Sequence, residues 1–429
     1  MSTGAELLTE LDQRGLLQDC TSVEALAARL DEGTTTLYCG FDPTADSLHL
    51  GNLQSIMLLR RYQLAGHAPV ALVGGATGMI GDPSGRSDER QFLDAAVLDA
   101  NRAAIAGQLS SLLDFTEGPG AARLVDNRTW TEPMSVLEFL RDVGKHMTVN
   151  TMLAKESVKN RMDRESGISF TEFSYMLLQA HDFLVLHRDL GCDLQVAGSD
   201  QWGNITAGVD LVRRRTGHTV HGMTAPLIVR ADGTKFGKSE GENIWLSPSR
   251  TSPYRMYQYL LNVPDAEVGT LLLRLTTVPV QECHDVVAAH GAHPERREGQ
   301  RRLAREVTAL IHGPEVVAPI EAAAQVLFGR SMADAGPDAY DLLAEELDVT
   351  RVPTTELEGM DPVELFARSG LASSKGEVRR NPTGYHLNQV PLAERDGGLA
   401  SAIGPSDLRH GRFILLRRGK TVHHLVVAE

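Results

Sequence analysis

The sequence predicts an α/β protein in which a parallel sheet is wrapped by helices, followed by an all-helical segment and a small α+β unit. Three observations predict it. Up to about residue 245, short apolar runs alternate with helical patterns, as happens when strands of a parallel sheet are joined by crossover helices. The polar and glycine-rich residues of that part gather where the runs end. After Pro253 the strand-like runs stop, and helical patterns continue until short β-like runs return near the C-terminus. A chain of 429 residues exceeds one compact core, so two or three domains are expected. Its hydrophobic content of 42% and charged content of 23% are those of an ordinary globular protein.

Taken in order, residues up to about Arg29 form an amphipathic helical lead-in. Strand-like runs follow at Thr35 to Cys39, Pro69 to Gly74, Arg123 to Asp126, Asp193 to Ala197 and Pro226 to Val229. Three of their ends carry Gly40-Phe41-Asp42, Gly74 to Gly78 and Gly198-Ser199-Asp200-Gln201. Parallel sheets bind ligands beyond the carboxyl ends of their strands, where the strand order reverses. Three such ends facing one crevice make a nucleotide-sized site. Between Asp82 and Phe170 the pattern is mostly helical, and we expect an insertion at about 83–170 that contributes to self-association. Met134, Val136, Leu137 and Leu140 suit either that role or an ordinary core. Helices are predicted at Tyr254 to Asn262, Ala266 to Arg274, Val280 to His290, Pro294 to His312 and Pro314 to Phe328. The expected domains are 1–245, a helical domain 246–340, a linker 341–355 within the Gly-Pro and acidic stretch from Gly329, and a terminal unit 356–429. That unit has a helix after Pro362, another at Ser374 to Arg380, and a final strand-like run from Thr421 to Val427.

Charge is unevenly distributed. The net charge is −14, yet from Phe366 onward ten Lys and Arg face five acids, which puts +5 there and −19 on the remainder. A basic module on an acidic body points to a local anionic partner. The four cysteines are scattered without metal-ligand spacing, so no metal site is expected. No apolar leader opens the chain and no uncharged run is long enough to span a bilayer, which argues for a cytoplasmic protein with no membrane partner.

The stretch Tyr38-Cys-Gly-Phe-Asp-Pro-Thr-Ala-Asp-Ser-Leu-His-Leu-Gly-Asn52 organises the chemistry. It reads as a strand end, a turn set by Asp42-Pro43 and a helix beginning near Leu48. His49 then sits at a helix N-terminus, where free backbone N–H groups and the helix dipole favour phosphate. Gly40 and Gly51 allow a ligand close to the backbone. The second motif is Lys235-Phe-Gly-Lys-Ser239. Two lysines three residues apart on a loop can neutralise a triphosphate as charge moves to a leaving pyrophosphate. Each motif alone fits an ordinary turn or a solvated loop; the pair, in this order, argues for nucleotide chemistry.

Pro43 to Asn52 together with Lys235 to Ser239 resembles the two signatures of class I aminoacyl-tRNA synthetases. The chain is similar to bacterial tyrosyl-tRNA synthetases through Tyr38 to Thr44, Gly74 to Gly85, Ser169 to Phe183 and Gly198 to Ile205. The resemblance implies a Rossmann-like catalytic domain and synthesis of tyrosyl-adenylate from L-tyrosine and ATP with Mg2+, followed by transfer to tRNA(Tyr). It assigns Tyr38 and Asp182 to the phenol of tyrosine, and Asp82, Tyr175 and Gln179 to its amino group, with Gln201 near the reacting carboxylate. Tyr175, Gln179 and Asp182 lie at i, i+4 and i+7 and so share one helix face. It assigns Gly40, Asp42, Thr44, His49, Asn52 and Asp200 to ATP, with Thr44 and His49 on the phosphates, Asp200 on the ribose, and Lys235 and Lys238 completing the clamp. Two positions depart from the pattern: Asn52 stands where many members have a second histidine, and Ala197 where glycine is frequent. The terminal unit resembles an S4-type RNA-binding module through Ser373 to Arg380, implying RNA contacts at Lys375, Arg379 and Arg380. A homodimer is implied by resemblance only. Three alternatives remain at this point. A small-molecule nucleotidyltransferase would have no use for the lysine loop, a non-catalytic RNA-binding relative would not need to keep His49, Asp182 and both lysines, and a tryptophan enzyme fits the Tyr38 and Asp182 pair poorly.

Overall fold

The computed structural model describes residues 3–84, 94–162, 167–230, 236–239, 242–328 and 335–429. The chain divides into two compact units, 1–311 and 312–429.

The first unit is built on six strands: β1 (Asp19–Cys20), β2 (Thr36–Phe41), β3 (Ala68–Val73), β4 (Arg123–Asp126), β5 (Cys192–Gly198) and β6 (His221–Ala225). Their order is β1-β6-β5-β2-β3-β4, and all neighbours are parallel except β1 with β6. Order along the chain therefore reverses between β2 and β5. The core strands are apolar on both faces because helices cover both: every residue of β3 is buried, and Leu37, Tyr38, Leu194 and Val196 are sealed. Helix Phe170–Leu190 packs on β5 and on helix Trp202–Thr216, and its last turn stops at Gly191, whose φ of 61° lies in the left-handed region that glycine adopts without strain. Helices Pro253–Leu261, Asp265–Leu275, Val280–Ala292 and Glu298–His312 follow the sheet, as the loss of strand patterning indicates.

Four expectations shift. The strand read at Pro226 to Val229 lies instead at His221–Ala225. Its His, Gly and Thr hide a strand that is buried along its whole length, while Pro226, lacking an N–H, falls after its end. Within the lead-in, β1 interrupts the helices Gly4–Gln13 and Val23–Asp31 to form the antiparallel edge. Within 83–170 the strand expected at Arg123 to Asp126 is found as β4, and helix Ala95–Leu112 is its regular crossover, so the inserted part is shorter than expected. Finally, 341–355 is structured rather than a linker.

In the second unit, the end of helix Pro337–Glu346 and strand β9 (Val349–Val352) occupy that stretch. The short hairpin β7 (Lys238–Ser239) and β8 (Glu242–Asn243) belongs to the first unit. The second unit holds β10 (Tyr385–Leu387), β11 (Val390–Pro391), β12 (Phe413–Arg418) and β13 (Val422–Ala428), in the order β11-β10-β12-β13-β9. Parallel pairing of β9 with β13 makes residues 349–352 part of the sheet. Helix Val317–Phe328 also falls in this unit, and Ile320, Ala323, Val326 and Leu327 bury its apolar side.

Candidate active site

An open cavity of about 650 Å³ lies at the carboxyl ends of β2 and β5, where the strand order reverses. Tyr38, Gly40, Asp42, Thr44, His49, Asn52, Asp82, Tyr175, Gln179, Asp182, Asp200 and Gln201 all line it. Lys235 lies outside the described residues, and of Lys238 only the backbone, in β7, is described.

His49 is the N-cap of helix Leu50–Leu64, with φ −124° and ψ 170°. The Gly51 N–H donates to His49 Nδ1 at 3.0 Å, and the His49 N–H donates to Asn52 Oδ1 at 3.1 Å. This reciprocal cap uses imidazole and amide where Ser and Glu are commoner. Because Nδ1 accepts, the ring proton of neutral His49 resides on Nε2. Asn52 thus holds the backbone of His49 through its oxygen while its amide nitrogen stays a donor. The preceding loop is fixed from helix Ala95–Leu112: Asn101 donates to the Pro43 carbonyl, and Gln108 accepts from Leu48 N–H and donates to Ser47 Oγ. The second motif docks here too. Phe236 is buried, and Gly237 has φ 87°, with so little room that an added Cβ would lie 3.1 Å from Gly51 N. Trp245 pairs with His49 as a β-bridge and meets its ring edge-on, 6.0 Å between centroids.

The floor of the cavity is a buried polar network. Asp182, 2% exposed, accepts from Asn127 Nδ2 at 2.9 Å and from Trp130 Nε1 at 2.8 Å. Burial drives its carboxyl up to about 7, against the opposing pull of those two donors. Tyr38 is 1% exposed, its hydroxyl has no partner among the described residues, and burial followed by the nearby Asp182 charge raises it well above the ordinary phenol value. An orphaned hydroxyl beside a reluctant carboxylate is a site poised for a ligand hydrogen bond. Tyr175 donates to Asp42 Oδ2 at 2.9 Å, and Thr77 donates to Asp42 Oδ1 at 2.8 Å. Asp42, expected on the ATP side, therefore also ties β2 to the helix that carries Tyr175. Gln201 donates to Asp82 Oδ2 at 2.6 Å, and Asn204 donates to both Gln179 and Gln201 at 3.1 Å.

Sequence reasoning missed Asn127, Trp130 and Gln195, and placed Thr77 only within the strand end Gly74 to Gly78. Asn127 is fully buried and bonds the Ala76 N–H, Thr77 and Asp182 at once. It directly follows β4, so the rule that singles out the other strand ends would have found it. Gln195 lines the cavity from within β5 and its Oε1 is buried without a partner among the described residues. Among those residues no group of three or more His, Cys, Asp or Glu side chains could hold a metal ion.

In the second unit, Lys375, Arg379 and Arg380 lie exposed on helix Lys375–Arg380. Lys375 pairs with Glu364 at 3.0 Å and Arg379 with Asp361 at 3.2 Å, so two of the three expected RNA contacts are engaged in surface ion pairs.

A parallel sheet with a phosphate-ready helix start and a lysine hairpin beside it defines a nucleotide-dependent enzyme, and residues 30–329 match the family model for class I tRNA synthetases of the tryptophan and tyrosine group. The chain belongs to this family. Over 98% of its length it is 47% identical to the tyrosine–tRNA ligase of Opitutus terrae, covering 99% of that protein, and 46% identical to that of Roseiflexus castenholzii with the same coverage. Among solved structures it resembles a C-terminally truncated mitochondrial tyrosyl-tRNA synthetase of Aspergillus nidulans at 31% identity and a TM-score of 0.69, over 76% of this chain and 95% of that one. Within the family, then, it stands with the bacterial tyrosine–tRNA ligases.

Proposed function

We propose that the chain activates L-tyrosine with ATP and transfers it to the 3′ end of tRNA(Tyr). The observation that carries this reading is the buried pair of Tyr38 and Asp182 in a cavity also lined by His49 and Gly51, against which Gly237 of the second motif packs. In the first step a tyrosine carboxylate oxygen attacks the α-phosphorus of ATP, and the bond to pyrophosphate breaks. No covalent bond to the protein is needed. The site works by holding the reactants in line and by placing positive or donor groups where charge accumulates.

Asp182 accepts the phenol proton of the substrate and Tyr38 supplies the second hydrogen-bond partner. Asp82, Tyr175 and Gln179 hold the ammonium group, and Gln201 lies by the carboxylate. Asn127 and Trp130 orient Asp182. On the nucleotide side Thr44 and the Nε2 proton of His49 serve the phosphates, Asn52 keeps His49 in place, Gly40 and Asp42 border the nucleotide and Asp200 takes the ribose hydroxyls. Lys235 and Lys238 neutralise the departing pyrophosphate. Mg2+ would accompany ATP, held by the oxygens of the nucleotide's own phosphates and neutralising part of their charge.

Helices from residue 246 and the terminal unit carry the tRNA, with Lys375, Arg379 and Arg380 exchanging carboxylate partners for phosphates. A homodimer is favoured by Val136, Leu137 and Phe170, which are 74, 79 and 79% exposed, large and apolar. A cytoplasmic location suits an enzyme of translation, and no described helix is long and apolar enough to cross a membrane. The test is charging of a tRNA(Tyr) transcript with labelled tyrosine. ATP-dependent charging supports the reading, and none with active transcript refutes it.

A further inference from the structure

The segment Phe236-Gly237-Lys238 is held from a residue outside both signatures. The Gly237 N–H donates to Tyr259 Oη at 3.1 Å, and Arg230 donates to the same oxygen at 3.0 Å. The Phe236 ring packs on that of Tyr259 with centroids 5.7 Å apart, and Arg230 lies over the Tyr259 ring. From Gly237 the connection continues: Ile244 N–H donates to the Gly237 carbonyl at 2.7 Å, and Leu50 N–H donates to the Ile244 carbonyl at 2.9 Å. Leu50 is the first residue of the helix that His49 caps. One run of hydrogen bonds thus joins Tyr259, on helix Pro253–Leu261, to both halves of the phosphate site.

We infer that Tyr259 is a positioning residue for adenylate formation: its hydroxyl fixes Gly237, and through it the placement of Lys238 relative to His49. Gly237 is buried, so without the hydroxyl its N–H loses its partner. Gly237 also has a positive φ, where glycine has most freedom to turn away. Tyrosine binding is untouched, because the substrate floor is built from β2, β4 and helix Phe170–Leu190. The effect falls on the step in which phosphate charge moves, where a displacement of an ångström reduces rate about ten-fold to a hundred-fold.

This rests on the proposed activity, and the test separates the two. Tyrosine-dependent exchange of labelled pyrophosphate into ATP is measured for the wild-type chain and Tyr259→Phe, together with hydrogen–deuterium exchange of the peptide containing Gly237. The expected result is a fall in kcat of about ten-fold with KM for tyrosine unchanged, and faster deuterium uptake at Gly237 in the variant. A wild-type kcat in Tyr259→Phe overturns the inference and leaves the activity standing. So does a lower kcat with unaltered Gly237 uptake, or a KM for tyrosine that rises in step. Absence of exchange in the wild-type chain overturns the activity itself, and the positioning role with it.

Discussion

Lowering the pH from 8 to 5 should release tyrosine from the ATP-free protein, and the cause is Asp182. Its carboxyl sits near 7 because it is buried, and only the ionised form accepts the phenol proton at full strength. At two units below that value about one molecule in a hundred carries the charge, so the apparent Kd for tyrosine rises by up to about 100-fold, or about 3 kcal/mol. The tyrosine carboxylate stays ionised throughout this range and its amino group only gains a proton as pH falls, so neither accounts for release; His49 is proposed for the phosphate side. Equilibrium dialysis with labelled tyrosine between pH 5 and 8, repeated with Asp182→Asn, reads the effect directly. The wild-type chain should lose affinity progressively below pH 7, while the variant binds weakly and without pH dependence. A flat wild-type profile would refute the reasoning. The same group acts on stability with a definite sign. An acid whose pKa is raised on folding binds more protons folded than unfolded, so the empty protein loses stability as pH climbs from about 4 to about 7, and tyrosine should restore it above 7.

Asn127→Ala leaves Ala76 N–H, Thr77 and Asp182 each short of a bond; KM for tyrosine should rise about 10-fold to 100-fold with KM for ATP little changed, in steady-state exchange kinetics. Arg61 is buried and its guanidinium donates to the Leu273 and Thr276 carbonyls at the end of helix Asp265–Leu275, beside Arg14 on Leu273 and Val278. Arg61→Met should therefore destabilise the first unit by about 2–4 kcal/mol, seen as a lower midpoint in urea. Replacing Lys375, Arg379 and Arg380 together by alanine should weaken tRNA binding and reduce its salt dependence by about two to three counterions, leaving tRNA-free exchange at the wild-type rate.

The proposed phosphate half of the cavity was legible because its residues are contiguous: a strand end, a turn and a helix start supply Gly40 to Asn52 in one stretch. The proposed substrate half was legible only where three polar residues share one helix face, at Tyr175, Gln179 and Asp182. Asn127 and Trp130 escaped because each is a single polar residue after a four-residue strand, in a segment that reads as helical insertion. β6 escaped because His221, Gly222 and Thr224 are buried polar or small residues that break an apolar run. β9 was lost because its partner β13 lies about 75 residues later, and pairing at that distance leaves no local pattern. Tyr259 carries no signal in the sequence, since the part proposed for it depends on a hydrogen bond to a backbone N–H 22 residues earlier.

The central claim is a phenol-reading adenylation site, and it is tested most directly by pyrophosphate–ATP exchange without tRNA across all twenty amino acids. Exchange with tyrosine alone, and phenylalanine rejected because it would leave Tyr38 and Asp182 buried and unpaired, is the predicted result; the tyrosine enzymes are the standing example of that discrimination. Exchange driven by tryptophan, or by phenylalanine as well as by tyrosine, would contradict the assignment of Tyr38 and Asp182.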